Sequence, residues 1–131
     1  MEVDEAQIQD VEQQSGIQFP DDYRGFLITE GAAGRLVESV EGYLMLQPSG
    51  ELVASNAAGE IQARFPGAVA IGGDGSREFL VYDFRKDPPP LSLLDVTAEN
   101  WQEGVYQAGS FSELLRLFPE RGWDWGPPED C

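Results

Sequence analysis

Histidine is absent from all 131 residues, and the single cysteine, Cys131, is the last of them. The first absence removes every nucleophile–histidine pair and every imidazole-bearing metal site. The second removes an internal disulfide, which fits a reducing cytoplasm. No apolar stretch approaches the roughly 20 residues that span a bilayer. The acidic N-terminus also lacks the apolar core of a secretory leader, so the expected location is cytoplasmic, with no membrane partner. Basic residues are scarce too: 8 Lys and Arg against 24 Asp and Glu leave a formal net charge of −16. A field of that sign repels nucleic acid and anionic membranes and attracts basic proteins. It also serves solubility alone, so charge by itself leaves two readings open.

What is present describes one domain. Apolar residues make up 41% of the chain and are spread along it, which argues for a core and against disorder. The acids are shared but densest at the ends. Residues 1–30 hold 8 acids and 1 base, residues 31–119 hold 12 and 6, and residues 120–131 hold 4 and 1.

The organising stretch is Gly16-Ile-Gln-Phe-Pro-Asp-Asp-Tyr-Arg-Gly-Phe-Leu-Ile-Thr-Glu-Gly31. Gly16 can close a preceding helix in the left-handed conformation. Pro20 suits a first helical position, and Asp21 and Asp22 complement the positive end of the helix dipole. Tyr23, Phe26 and Leu27 share a face, Phe19 can staple the entering chain, and Gly31 stops the run. Gly25 in mid-helix costs roughly 1 kcal/mol against Ala, so a close backbone contact is expected there.

Around this stretch the remaining elements follow in order. Residues 1–15 read as an amphipathic helix capped by Asp4 with Gln7, burying Ile8, Val11 and Ala6. A loop covers residues 31–35, and Tyr43-Leu-Met-Leu46 marks a strand within residues 40–47. Residues 50–64 read as helical, with Ser49 as a cap and a weak point near Gly59. Ala68–Ile71 and Glu78–Phe84 flank a Gly-Asp turn and should pair as an antiparallel hairpin. Pro88-Pro-Pro90 ends that exit, and Leu91–Leu94 should return beside Phe79–Phe84. Trp101 falls in a polar loop. Ser110 caps a final helix that buries Phe111, Leu114, Leu115 and Phe118, with Pro119 stopping it. The expected fold is α+β: a single domain with a mainly antiparallel sheet and helices at both termini packed against it.

Three segments together resemble one family. Gly16-x-x-Phe-Pro-x-Asp-Tyr-x-x-Phe-Leu-x-x-x-Gly31 resembles the signature of the SUKH superfamily, with Glu30 standing where the family usually has Asn. Ile71 to Asp83 is similar to its Gly-Asp turn and central strand, with extra residues before Glu78. Ala108-Gly-Ser-Phe-Ser-Glu-Leu-Leu115 is similar to its closing helix. The superfamily includes the yeast cell-wall assembly regulator and many bacterial immunity proteins of polymorphic toxin systems. The resemblance implies a SUKH-like domain over residues 1–118, followed by a Pro-, Gly- and Trp-containing tail over 119–131.

The residues themselves favour binding over catalysis. Paired carboxylates are the one acid–base route left without histidine, and Asp74, Glu78 and Asp83 are the nearest set. Each has a plain structural use: Asp74 in a turn, Glu78 and Asp83 at strand ends. Gly72-Gly-Asp-Gly75 lacks a P-loop lysine or an EF-hand ligand series. No catalytic residue, metal or cofactor is therefore assigned. The candidate partner-binding residues are Asp21, Asp22, Glu30, Asp74, Glu78, Trp101, Trp123 and Trp125. Tryptophan is enriched at binding hot spots, and its competing use here is to cover a sheet face. The resemblance implies an immunity protein that binds and neutralises a basic toxin domain, a nuclease among the classes, through an acidic surface. The alternative it leaves is a regulatory or scaffolding module of the cell-wall-regulator type.

Overall fold

The computed structural model describes residues 5–30, 35–39, 42–58, 60–74 and 78–123. Asp4, Gly31, Gly59 and the chain beyond Trp123 lie outside the described residues. So do the side chains of Ala6, Gln7, Val11 and Ser49.

Two helices open the chain, α1 (Glu5–Ser15) and α2 (Asp21–Glu30). Gly16 takes φ 71°, and the Pro20 carbonyl accepts from Arg24 N–H at 3.0 Å. The link between them is tied by Glu12, which is buried. Its carboxylate accepts from Phe19 N–H at 2.7 Å and from the Arg24 guanidinium at 2.9 Å. Phe19 then meets Tyr23 edge-on with ring centres 4.9 Å apart, the expected staple.

The sheet follows as an antiparallel meander in the order β1-β2-β3-β4-β5-β6. Its strands are β1 (Arg35–Ser39), β2 (Gly42–Leu46), β3 (Ala68–Gly73), β4 (Glu78–Asp83), β5 (Leu91–Asp95) and β6 (Val105–Ala108). The β3–β4 hairpin and the return of β5 beside β4 are as expected. Strands β1 and β6 are additions. Arg35-Leu-Val-Glu-Ser39 carries charge near both ends, and Val105–Ala108 is only four residues long. Neither has enough alternation to stand out without its partner.

One face of the sheet meets α1, α2 and the last helix, α5 (Phe111–Arg121). Ile8, Tyr23, Leu27, Leu44, Leu80, Tyr82, Phe111 and Phe118 belong to that principal core. Burial pushes the phenols of Tyr23 and Tyr82 well above their ordinary value, so both rings stay neutral. The other face carries a smaller core of Ile61, Phe65, Ala70, Val81 and Leu94, with Phe79 and Trp101 against it.

Between the faces lie α3 (Leu52–Ala58) and α4 (Ile61–Arg64), divided where Glu60 takes φ 52°. They fill a gap in the sheet. Strand β2 pairs with β3 only at Gly72 and Gly73, leaving the Ala68–Ala70 flank without a strand partner. Asn56 takes that partner's place, donating to the Ala70 carbonyl at 2.9 Å and accepting from Ala70 N–H at 2.8 Å. Gln62 adds a bond to the Ala68 carbonyl at 2.8 Å. Side chains thereby satisfy both backbone groups of Ala70 and the Ala68 carbonyl, while the Ala68 N–H donates to the Phe65 carbonyl at 2.9 Å.

Two expectations change. Pro119 does not stop the last helix but lies inside it. Leu114 and Phe118 are buried, and Trp123 packs edge-on against Phe118 at 4.9 Å, so tertiary contacts hold a turn that proline weakens. The Gly122 N–H closes the helix on the Phe118 carbonyl at 2.7 Å. Gly25 has no close neighbour either: a Cβ built there meets nothing within 4 Å.

Candidate functional site

The residues predicted to meet a partner divide between exposed positions and positions committed to the fold. Asp21 is exposed at the start of α2. Its neighbour Asp22 reaches across to α5, accepting from Ser112 N–H at 2.9 Å and from the Ser112 hydroxyl at 3.1 Å. That carboxylate joins Ser110, whose hydroxyl accepts from Glu113 N–H at 3.1 Å, in capping the last helix. Asp74 accepts from Glu78 N–H at 3.0 Å and so closes the β3–β4 turn. Glu78 opens β4 directly opposite Asp95. Trp125 lies outside the described residues, as does the side chain of Glu30.

The two described tryptophans are used internally. Trp123 is buried, and its indole N–H donates to the Tyr43 carbonyl at 2.9 Å. The indole N–H of Trp101 donates to the Pro66 carbonyl at 2.8 Å, and the Arg85 guanidinium lies over its ring at 4.1 Å. Each indole covers part of the sheet, the competing use that the sequence left open.

Arg24 and Arg64 are likewise drawn into the fold, and Arg85, itself exposed, is tied to a buried acid. Arg24 is held by Glu12. Arg64 donates to the carbonyls of Val96 at 2.6 Å and Ala98 at 2.7 Å. Arg85 grips Asp83 through two bonds of 2.9 Å. Asp83, the last residue of β4, is thus buried and paired, and the Arg85 hydrogen bonds hold its carboxyl below the ordinary range. A proton donor for acid–base work needs a shift the other way. Among the described residues, no group of three Asp, Glu, Cys or His side chains is placed to hold a metal ion. No helix among them is long and apolar enough to cross a membrane.

Many acids are left facing outward. Asp10, Asp21, Glu38, Glu51, Glu60, Asp87, Glu99, Glu103 and Glu120 are exposed, whereas the exposed bases among the described residues are Arg35, Arg85, Lys86 and Arg116.

A second surface feature was not anticipated. On the outward face of the β1–β2 hairpin, Leu36 stands opposite Met45 and Glu38 opposite Tyr43. Leu36 is 54% exposed, Tyr43 50% and Met45 46%. The same cross-strand row continues through Gly73, Phe79 and Leu94. Gly73 leaves a notch in that row, part of a groove of about 250 Å³ lined also by Met45, Gln47, Glu78, Phe79 and Val96. Glycine is required there because a Cβ on Gly73 would collide with the Glu78 carbonyl oxygen, and one on Gly72 with that of Met45. The period-two spacing of Leu36 with Glu38, and of Tyr43 with Met45, is the sequence signal for this face. It has meaning only once β1 is known to be a strand.

The statistical model of the SMI1 / KNR4 family (SUKH-1) matches residues 2–117. The chain belongs to that family. SUKH-1 membership unites the Gly16–Gly31 helix link, the β3–β4 hairpin and the Ser110-capped helix in one domain. It is consistent with an immunity-type protein or with one of the SMI1/KNR4 kind. No curated protein matches the chain in sequence.

Proposed function

We propose that this SUKH-1 chain is a non-enzymatic immunity protein that binds a cognate toxin domain of basic surface and neutralises it by occupying that surface. A nuclease is the toxin class whose chemistry fits best, since a site that holds phosphate is lined with cations. The observation that carries this reading is the net charge of −16. The engagement of Arg24 and Arg64 within the fold supports it, because those cations are taken up by a buried carboxylate and by backbone carbonyls. The structural roles of Asp22, Asp74 and Asp83 support a mechanism without bond-making.

Opposite fields steer two proteins together, and dissolved ions screen that attraction. The test begins with the neighbouring genes: where one encodes a toxin domain, its association rate with this chain is measured by stopped flow at low and high salt. The expected result is a fall of about tenfold or more with rising salt. An on-rate indifferent to salt removes the electrostatic mechanism. Absence of binding, together with no protection on co-expression, removes the immunity function.

A further inference from the structure

Among the described residues, Leu36, Tyr43 and Met45 are three of the five large hydrophobic side chains that stand exposed, and they share one face of one hairpin. Singly exposed apolar residues are ordinary, but a contiguous set marks an interaction surface. Cover on that side of the sheet comes from the smaller core, which runs from β3 to β5 and stops short of the hairpin. We propose that the outward face of the β1–β2 hairpin is the docking surface for a basic protein segment. That segment presents an apolar side chain flanked by Lys or Arg. The proposal deepens the immunity reading and rests on it, adding where the partner sits and what it offers.

The chemistry selects this occupant. Tyr43 is of the type that dominates interface hot spots, and Met45 is flexible enough to mould to a partner. The groove lined by Met45, Gly73 and Phe79 adjoins these exposed side chains. Glu38 stands directly opposite Tyr43 on the same face, exposed, where a Lys or Arg beside that side chain would meet it. A second copy of the chain suits the face poorly, because it brings another −16 against the first.

The experiment pans a phage-displayed library of random cyclic peptides on the whole wild-type chain at low salt. Enriched clones are then measured on variants that keep the wild-type melting temperature. Clones should combine an aromatic or aliphatic residue with Lys or Arg. They should lose about tenfold in affinity on Tyr43→Ala, on Met45→Ala and on Glu38→Lys. They should bind Tyr106→Ala unchanged, since that exposed tyrosine sits on β6 at the far edge of the sheet. The proposal is overturned if no clone is enriched, if enriched clones lack basic residues, or if the hairpin variants bind them as wild type does. It is overturned in favour of the C-terminal segment if a chain ending after Trp123 binds the clones more tightly. It is overturned in favour of self-association if light scattering finds a dimer that Tyr43→Ala dissociates. Toxin protection without peptide selectivity removes this face and leaves the immunity reading. Peptide selectivity without toxin protection does the reverse.

Discussion

Gly25 and Asp83 show how far a residue's chemistry depends on what stands beside it. Glycine within a helix points either to a close approach or to an unfilled position, and Gly25 is the second kind: its missing Cβ faces open space. Gly25→Ala should therefore stabilise the protein by about 0.5–1 kcal/mol, by restricting the unfolded chain. A urea titration reads this as a raised midpoint with an unchanged slope. Asp83 is the opposite case. Its carboxyl is buried against Arg85 and held below the ordinary value of 3.8. A depressed carboxylate contributes stability above its unfolded value and loses it as pH falls through the folded one. The stability gap between wild type and Asp83→Asn should thus be widest near about pH 7 and close below about pH 4. Urea unfolding at several pH values measures it, and a gap that persists in acid would show that the pair does not act through charge. The roles of Asp22 and Trp123 were illegible for a related reason. Neither composition nor spacing tells that an aspartate on α2 will reach Ser112, or that an indole will find the Tyr43 carbonyl.

Among the elements, those with their own start and stop marks were readable: α2 from Pro20 and its two aspartates, α5 from Ser110, and the β3–β4 hairpin from its glycine-rich turn. Elements defined by their neighbours were not. Strand β1 acquires its identity by pairing with β2, and β6 by pairing with β5. Pro119 misled because local propensity was outweighed by the burial of Phe118 and the packing of Trp123. The clearest case is the α3–α4 segment, whose amphipathic pattern and weak point were visible while its main task was not. Asn56 makes three bonds to backbone groups, two of them to Ala70. Asn56→Ala would strand the Ala70 amide and carbonyl in a buried setting and should destabilise by about 2–4 kcal/mol. Thermal unfolding reads the loss. A drop within a few tenths of a kcal/mol would mean that the flank needs no such partner.

For the molecule as a whole, the α+β class and the SUKH assignment were both legible, the first from hydrophobic pattern and the second from three short segments in order. The surface was legible only as a sum. A net charge of −16 says that acids prevail, not which of them face outward. The structure buries Glu12 and Asp83 and pairs them with Arg24 and Arg85, and it leaves Glu38 out beside Leu36 and Tyr43. The candidate docking face thus required register, which depends on β1 being recognised as a strand.

The flank of β3 that Asn56 and Gln62 occupy has one more consequence. An unpaired strand border is a template onto which a foreign chain can zip, the first step toward cross-β fibres. Two carboxamides plug that border at Ala68 and Ala70. The same contacts that complete the fold therefore act as a guard against templated misassembly, where β2 falls short of the β3 flank.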